Sequence, residues 1–364
     1  MTERSQNIDA AARPENPGPA APHSRTTSSA WVKGALDLFA RFGLDLDTLL
    51  ESAGIDKEAL ESPDIRVATE KLSRLWRSAA QKSGDPAIGL AHPHVPKPGN
   101  FDIVGYAMLS SPNLRTALHS FARYLRLVSD AAGMKLVESG QGHLRVELEI
   151  NGGREPMPRQ RIEFAMLTTL TFCKWVTGRE MKPRAVLLAY PEPEARAPYE
   201  QAFGCAITFD ALVNAIDIAA EDLDAPMPGH NPKLATVHHE IMSRRLALIE
   251  DDNIVVRVEE AIKARLVNGA PRRQEIAEAL GMSERTLQRR LRERGASFNQ
   301  AFDETRRNLA CQFLGKPKLS YAEIAYLLGF TEQSVFFRAC KRWFKDSPAR
   351  VRQNILNPPK SDPA

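Results

Sequence analysis

The chain has 364 residues, of which 43% are hydrophobic and 26% charged, and its net charge is +4. That length is more than one core commonly serves, so two soluble globular domains are expected. The apolar stretch "AVLLAY" at 185–190 is strand-sized, and the N-terminus lacks a basic-then-apolar pattern; no membrane span and no secretory signal are expected, and the expected location is the cytoplasm. Cys173, Cys205, Cys311 and Cys340 are scattered with no C-x-x-C pair, which argues for reduced, buried thiols and against a zinc cluster. Charge is unevenly spread. Residues 254–353 hold 20 Lys and Arg against 11 Asp and Glu, a net of +9, leaving −5 for the remainder. The C-terminal third is therefore the part suited to a polyanion.

Residues 1–29 are rich in Pro, Ala, Ser, Asn and Thr without apolar periodicity and read as a disordered tail, with order expected to begin at Trp31. An α+β domain follows over 30–231. It opens with helices in "WVKGALDLFARFGLDLDTLLESAGI" and "ATEKLSRLWRSAAQKSG", each closed near a glycine. A proline-rich loop at 92–100 leads to further helical spacing with Pro112 at the start of a helix. "MKLVESGQGHLRVELEI" alternates around Gly140 and Gly142 as a hairpin does. A helix (159–177), a strand (184–190), a helix (194–203) and two short strands near 205–220 complete the mixture. "DAPMPGHNP" ends it, and residues 232–252 read as a helical linker. From residue 253 to 353 every segment reads as helix, and residues 354–364 form a tail.

Two near-copies of one pattern organise that all-α region: "EIAEALGMSERTLQRRLRERG" at 275–295 and "EIAYLLGFTEQSVFFRACKRWF" at 323–344. In the first, Ile276, Ala277 and Leu280 share a face, Gly281 permits a sharp turn, and Ser283 is placed to cap the next helix. Leu287 and Leu291, four apart, must face inward, so Arg285, Gln288, Arg289 and Arg292 project outward together. A helix in the major groove needs such a face, because Arg can grip guanine, Gln can grip adenine, and further cations meet phosphates. A solvated basic helix would look much the same. The second copy decides between them: Glu323, Ile324, Ala325, Leu328 and Gly329 repeat the first five residues 48 positions later, and Ser320 with Glu323 makes a capping box. Its turn is one residue longer, so Phe336 and Cys340 take the inward places and Gln333, Ser334, Phe337 and Arg338 are exposed. Two helix-turn-helix motifs result, at 273–294 and 320–343, joined by one helix over 298–314. A rigid connector of that kind would let one chain address successive major grooves ~34 Å apart.

The stretch "GFTEQSVFFRACKRWFKDSPARVR" resembles the DNA-binding domain of AraC/XylS-type transcriptional regulators through Gly329, Phe330, Ser334, Phe336, Arg338, Lys341, Phe344, Ser347, Pro348 and Arg352. Val335 and Cys340 stand where that family usually has aromatics, and Lys345 where it favours Gly. More loosely, "LLESAGID", "GDPAIGLA", "FDIVGYAMLSSPNLRTAL" and "RAVLLAYPEPEARAPYEQAFGCAITFDA" resemble the arabinose-binding-type sensor domain of the subgroup that includes the ornithine-utilisation regulator. The resemblance implies double-stranded DNA as partner, a small-molecule effector of unidentified structure and binding residues, RNA polymerase met at the promoter, and a sensor that can form a homodimer. Activation is the family's commoner role, and repression is the other.

Rival chemistries find little to stand on. A lone His119 on a helix without a haem motif is a structural residue, and His92 with His94 and His238 with His239 lack companion ligands. No G-x-S-x-G, G-x-x-x-x-G-K or H-E-x-x-H occurs, so no catalytic residue, metal or cofactor is assigned. The remaining alternative is another kind of DNA-binding protein, a recombinase or an architectural protein; an acidic catalytic cluster beside the basic region would favour a recombinase, and none is visible.

Overall fold

The computed structural model describes residues 25–91, 97–139, 142–154, 156–252 and 254–356. Its N-terminal elements are β1 (Thr26–Ser28), α1 (Ser29–Arg41), α2 (Leu46–Ala53), β2 (Arg66–Ala68), α3 (Thr69–Ser83), α4 (Asp102–Leu109), α5 (Leu114–Val128), β3 (Ala132–Ser139), β4 (His143–Ile150), α6 (Arg159–Thr177), β5 (Ala185–Leu187), α7 (Ala197–Phe203), β6 (Ala206–Thr208), β7 (Asn214–Ala219) and α8 (Ala220–Asp224). Three-residue strands with no alternation carry little signal, and β1 was not foreseen. Regular structure is already present before Trp31: Thr26, Thr27 and Ser28 pair antiparallel with Ala68, Val67 and Arg66. Thr26 Oγ1 donates to Asp130 Oδ2 at 3.1 Å, and Arg66 Nε donates to Thr26 Oγ1 at 2.8 Å. These polar anchors, all distant in sequence, hold the strand; its own side chains do not announce it. The rest of the expected tail lies outside the described residues.

The main sheet has the order β3-β4-β7-β5-β6, antiparallel except for the β5–β6 pair. Along β4, Leu144, Val146 and Leu148 are buried in alternation, and Leu144 and Val146 stand opposite Ile218 and Ile216 of β7, so one face is apolar by construction. The 19-residue helix α6 covers it with Ile162, Met166, Leu170 and Cys173. A second cluster, around Phe39, Leu49, Leu75 and Trp76, joins α1, α2 and α3, and Trp31 and Phe164 bridge the two edge-to-face with 5.4 Å between centroids.

Helix α9 (Pro232–Asp252), read from sequence as a bridge, is docked on α4 and α5. Tyr124 OH meets Ser243 Oγ at 2.8 Å, and Arg245 grips Asp102 with bonds of 2.7 and 2.9 Å. His238 shares a hydrogen bond with Ser110 and His239 with Tyr124, so both histidines serve this packing. Beyond it come α10 (Ile254–Leu266), α11 (Arg273–Ala279), α12 (Glu284–Glu293), α13 (Phe298–Leu314), α14 (Tyr321–Leu327), α15 (Gln333–Phe344) and α16 (Pro348–Leu356), around a core of their own that includes Ile262, Ile276, Leu287, Leu309, Ile324 and Phe336.

Candidate nucleic-acid interface

The two repeats fold as two helix pairs. In the first, the Glu275 carboxylate accepts from the Arg272 N–H at 3.2 Å, and Ser283 Oγ caps α12 by accepting from the Thr286 N–H at 3.2 Å. Between them Gly281 sits at φ +70°, where an L side chain is strained. Leu287 and Leu291 are fully buried against Ile276 and Ala277. That fixes the rotation of α12: Arg285, Arg289 and Arg292 are exposed and Gln288 is half-buried on the same side. The second pair repeats this. Glu323 accepts from the Ser320 N–H at 2.8 Å while Ser320 Oγ accepts from the Glu323 N–H at 3.2 Å. Gly329 has φ +67°, and α15 takes Glu332 as its cap, one residue later than Ser283 in the first copy. Phe336 and Cys340 are buried, and Gln333, Ser334, Phe337 and Arg338 are all exposed.

The connector supplies what binds the copies into one object. α13 has 17 residues, about 25 Å of rigid helix. From it Arg306 donates to the carbonyls of Leu328 at 2.8 Å and Gly329 at 2.7 Å, with its guanidinium lying 4.3 Å from the ring centres of both Phe302 and Phe330. Those carbonyls end α14, where the helix has no internal donors left. Sequence reading passed over Arg306; its signal was an arginine on the same α13 face as Phe302, with Phe330 following the turn. Arg352 does the same work at the other end, donating to the Leu314 carbonyl at 3.2 Å and the Leu319 carbonyl at 2.6 Å. Ser347 accepts from the Arg350 N–H at 3.3 Å, so the Ser-Pro of the motif starts α16.

Both halves of the chain match known families. Residues 43–227 match the family described as the arabinose-binding domain of AraC transcription regulator, N-terminal, and residues 276–354 match a helix-turn-helix domain family. The chain is 30% identical to the ornithine utilization regulator of Pseudomonas aeruginosa over 326 residues, covering 89% of this chain and 95% of that protein. The chain belongs to the AraC family of transcription regulators. This regulator is also 24% identical to the HTH-type transcriptional regulator VirS of Mycobacterium tuberculosis, over 88% of its own length and 94% of that of VirS. Among solved structures it is similar to the transcriptional regulator CdpR of P. aeruginosa, at 19% identity and a TM-score of 0.42, covering 87% and 98% of the two chains.

The sensor part of this AraC-type regulator holds the DNA-binding part from behind. Arg25 pairs with Glu259 at 3.2 Å and Glu260 at 2.9 Å on α10, Lys263 with Glu149 of β4, and Arg154 with Glu304 of α13 at 3.1 Å. Lys316 and Lys318, in the loop after α13, donate to the carbonyls of Leu212 at 2.6 Å and Asp210 at 3.0 Å. The outward side chains of α12 and α15 take no part in these contacts. His119 is exposed, and His92 and His94 lie outside the described residues. No helix among the described residues is long and apolar enough to cross a membrane.

Proposed function

We propose that this regulator binds a two-part operator with α12 and α15 in successive major grooves, and that it activates neighbouring promoters, in contact with RNA polymerase, in response to a small-molecule effector. The observation that carries the reading is the pair of exposed faces, Arg285, Gln288, Arg289 and Arg292 on α12 and Gln333, Ser334, Phe337 and Arg338 on α15, mounted on one connector. Arg and Gln suit purine edges, and Phe337 suits a thymine methyl. Hydroxyl-radical footprinting across the DNA flanking its own gene tests it: two protected patches one helical turn apart are expected, and a single patch refutes two-groove reading.

A second copy of the chain is the partner we infer for α9. Leu234, Val237, Ile241 and Leu248 are exposed at heptad spacing on that helix, an apolar seam of the kind two helices bury against each other. Sedimentation should show a dimer for the wild type and a monomer for Ile241→Asp, and a monomeric wild type would remove this inference.

A further inference from the structure

Where the sensor part meets the DNA-binding part, a cavity of about 190 Å³ lies between α5, β3 and β4 on one side and α10 and α13 on the other. At the ~10–15 Å³ that one water needs, it has room on the order of a dozen waters, enough for a small organic molecule. Its wall carries charge of both signs, unevenly paired. Arg25 pairs with Glu259 at 3.2 Å and Glu260 at 2.9 Å, so two carboxylates share one guanidinium, and Lys263 is engaged with Glu149. Glu260 is also drawn at longer range by Lys263 and Arg126. Glu259 has only Arg25: burial first, and then repulsion from Glu304 and Glu260, lifts its carboxyl to about 7 against that pull. A second cation is what this end of the cavity lacks. In the same wall Asn308 of α13 has its Oδ1 buried with no donor among the described residues, where a buried acceptor ordinarily has one. Across from them, on α5, Arg123 is exposed, lies 5.4 Å from the Tyr124 ring centre and has no carboxylate partner among the described residues.

We propose that this cavity binds a small zwitterion, an ammonium and a carboxylate on one short carbon chain, with the ammonium received by Glu259 and Asn308 Oδ1 and the carboxylate by Arg123. Leu125, Met134 and Leu309 give the carbon chain an apolar wall. The site draws on both parts of the molecule: Arg123 belongs to the sensor, Glu259 and Asn308 to the DNA-binding part. It is complete only while the two are in contact, so the ligand favours the docked arrangement by its own binding free energy. The outward side chains of α12 and α15 take no part in that contact, and a ligand that holds the two parts together therefore leaves both reading faces open to DNA. The inference rests on the reading of this chain as effector-responsive.

The test uses the full chain and calorimetric titration at pH 7, with L-2-aminopentanoate and 5-aminopentanoate as probes and two controls that each lack one charge, pentanoate and 1-aminopentane. The expected result is saturable binding of at least one zwitterion. Pentanoate should bind about tenfold more weakly or worse, since it brings no donor to the buried Glu259 and Asn308 acceptors. 1-Aminopentane should be about threefold to fivefold weaker, a smaller loss because Arg123 is exposed. If no zwitterion saturates, or either control matches it, the proposal falls; that comparison needs no variant. Arg123→Gln alters an exposed side chain and leaves the core untouched, and it should bring the zwitterion down to the affinity of 1-aminopentane; a zwitterion that keeps its advantage there overturns the role of Arg123. Hydrogen exchange places the site: bound ligand should slow exchange in α5 and α13 together, and protection confined to the sensor part overturns the placement between the two. Footprinting of the ligand-free protein is scored separately, so loss of the ligand class and loss of the DNA-binding reading give different results.

Discussion

At the scale of single residues, position along α12 decides role. Arg289 lies nearer the helix N-terminus than Arg292 and is better placed for base edges, whereas Arg292 is better placed for phosphate. Arg289 is paired with Glu293 at 3.1 Å, but both partners are exposed, and such pairs contribute at most about 1 kcal/mol, too little to withhold the arginine from guanine. Arg289→Ala should therefore cost ~1 to 3 kcal/mol of binding and relax specificity at one base pair, while Arg292→Ala weakens all sequences alike and flattens the salt dependence. Equal, sequence-independent losses in a mutated-operator panel would remove Arg289 as a reader. Lys345 poses a different single-residue question. It ends α15 at φ +61°, a left-handed position that explains the glycine the family prefers there. Lys345→Gly should raise stability by about 1 kcal/mol, the usual cost of a side chain in that region, and an unchanged melting temperature would show that the strain is relieved elsewhere.

At the scale of elements, the two turn glycines look alike in sequence and differ in space. A Cβ at Gly281 would meet nothing within 4 Å, whereas one at Gly329 would lie 3.2 Å from the Ala270 nitrogen and the Gly269 carbonyl carbon and 3.3 Å from Leu266 Cδ2. Gly281→Val should then cost only the backbone strain, ~1 to 2 kcal/mol, while Gly329→Val adds overpacking for ~2 to 4 kcal/mol in total. Because Gly269 and Ala270 lead into α11, the damage at Gly329 reaches the first motif too, and both footprint halves should weaken, the second more. Comparable melting losses in the two variants would contradict this account. The helix-turn-helix pairs were legible because each rests on local signals: the Ser320–Glu323 box, the Ser283 cap, inward residues four apart, and a glycine at each turn. The α+β character of the first domain was legible in the same way, from the alternation of β4 and the helical spacing of α6. What escaped was whatever depended on partners far along the chain. β1 exists because Arg66 and Asp130 meet it, α9 is docked because Tyr124 and Asp102 meet it, and Arg306 matters because Phe330 folds back over it.

At the scale of the whole molecule, the charge asymmetry visible in sequence takes a physical form, with a basic C-terminal part lying against a sensor part of opposite sign. The exposed pairs in that contact are individually weak and screened by salt. The buried one behaves differently. Glu259 of α10 faces Arg25, yet burial outweighs that guanidinium, and with repulsion from Glu304 and Glu260 it lifts the carboxyl from 4.5 to about 7. A folded-state pKa above the unfolded one means that the fold favours the protonated acid. Its contribution is fully present below the unfolded value and is lost as pH rises through 7. Glu259→Gln copies the neutral acid and keeps an acceptor for Arg25, so it should match the wild type near pH 5 and become the more stable protein by about 1 to 3 kcal/mol near pH 8. Melting curves of both proteins across that range decide the matter. Should the wild type hold the advantage at the alkaline end, the Arg25–Glu259 attraction outweighs burial, and the contact between the two parts strengthens with pH where it is expected to loosen.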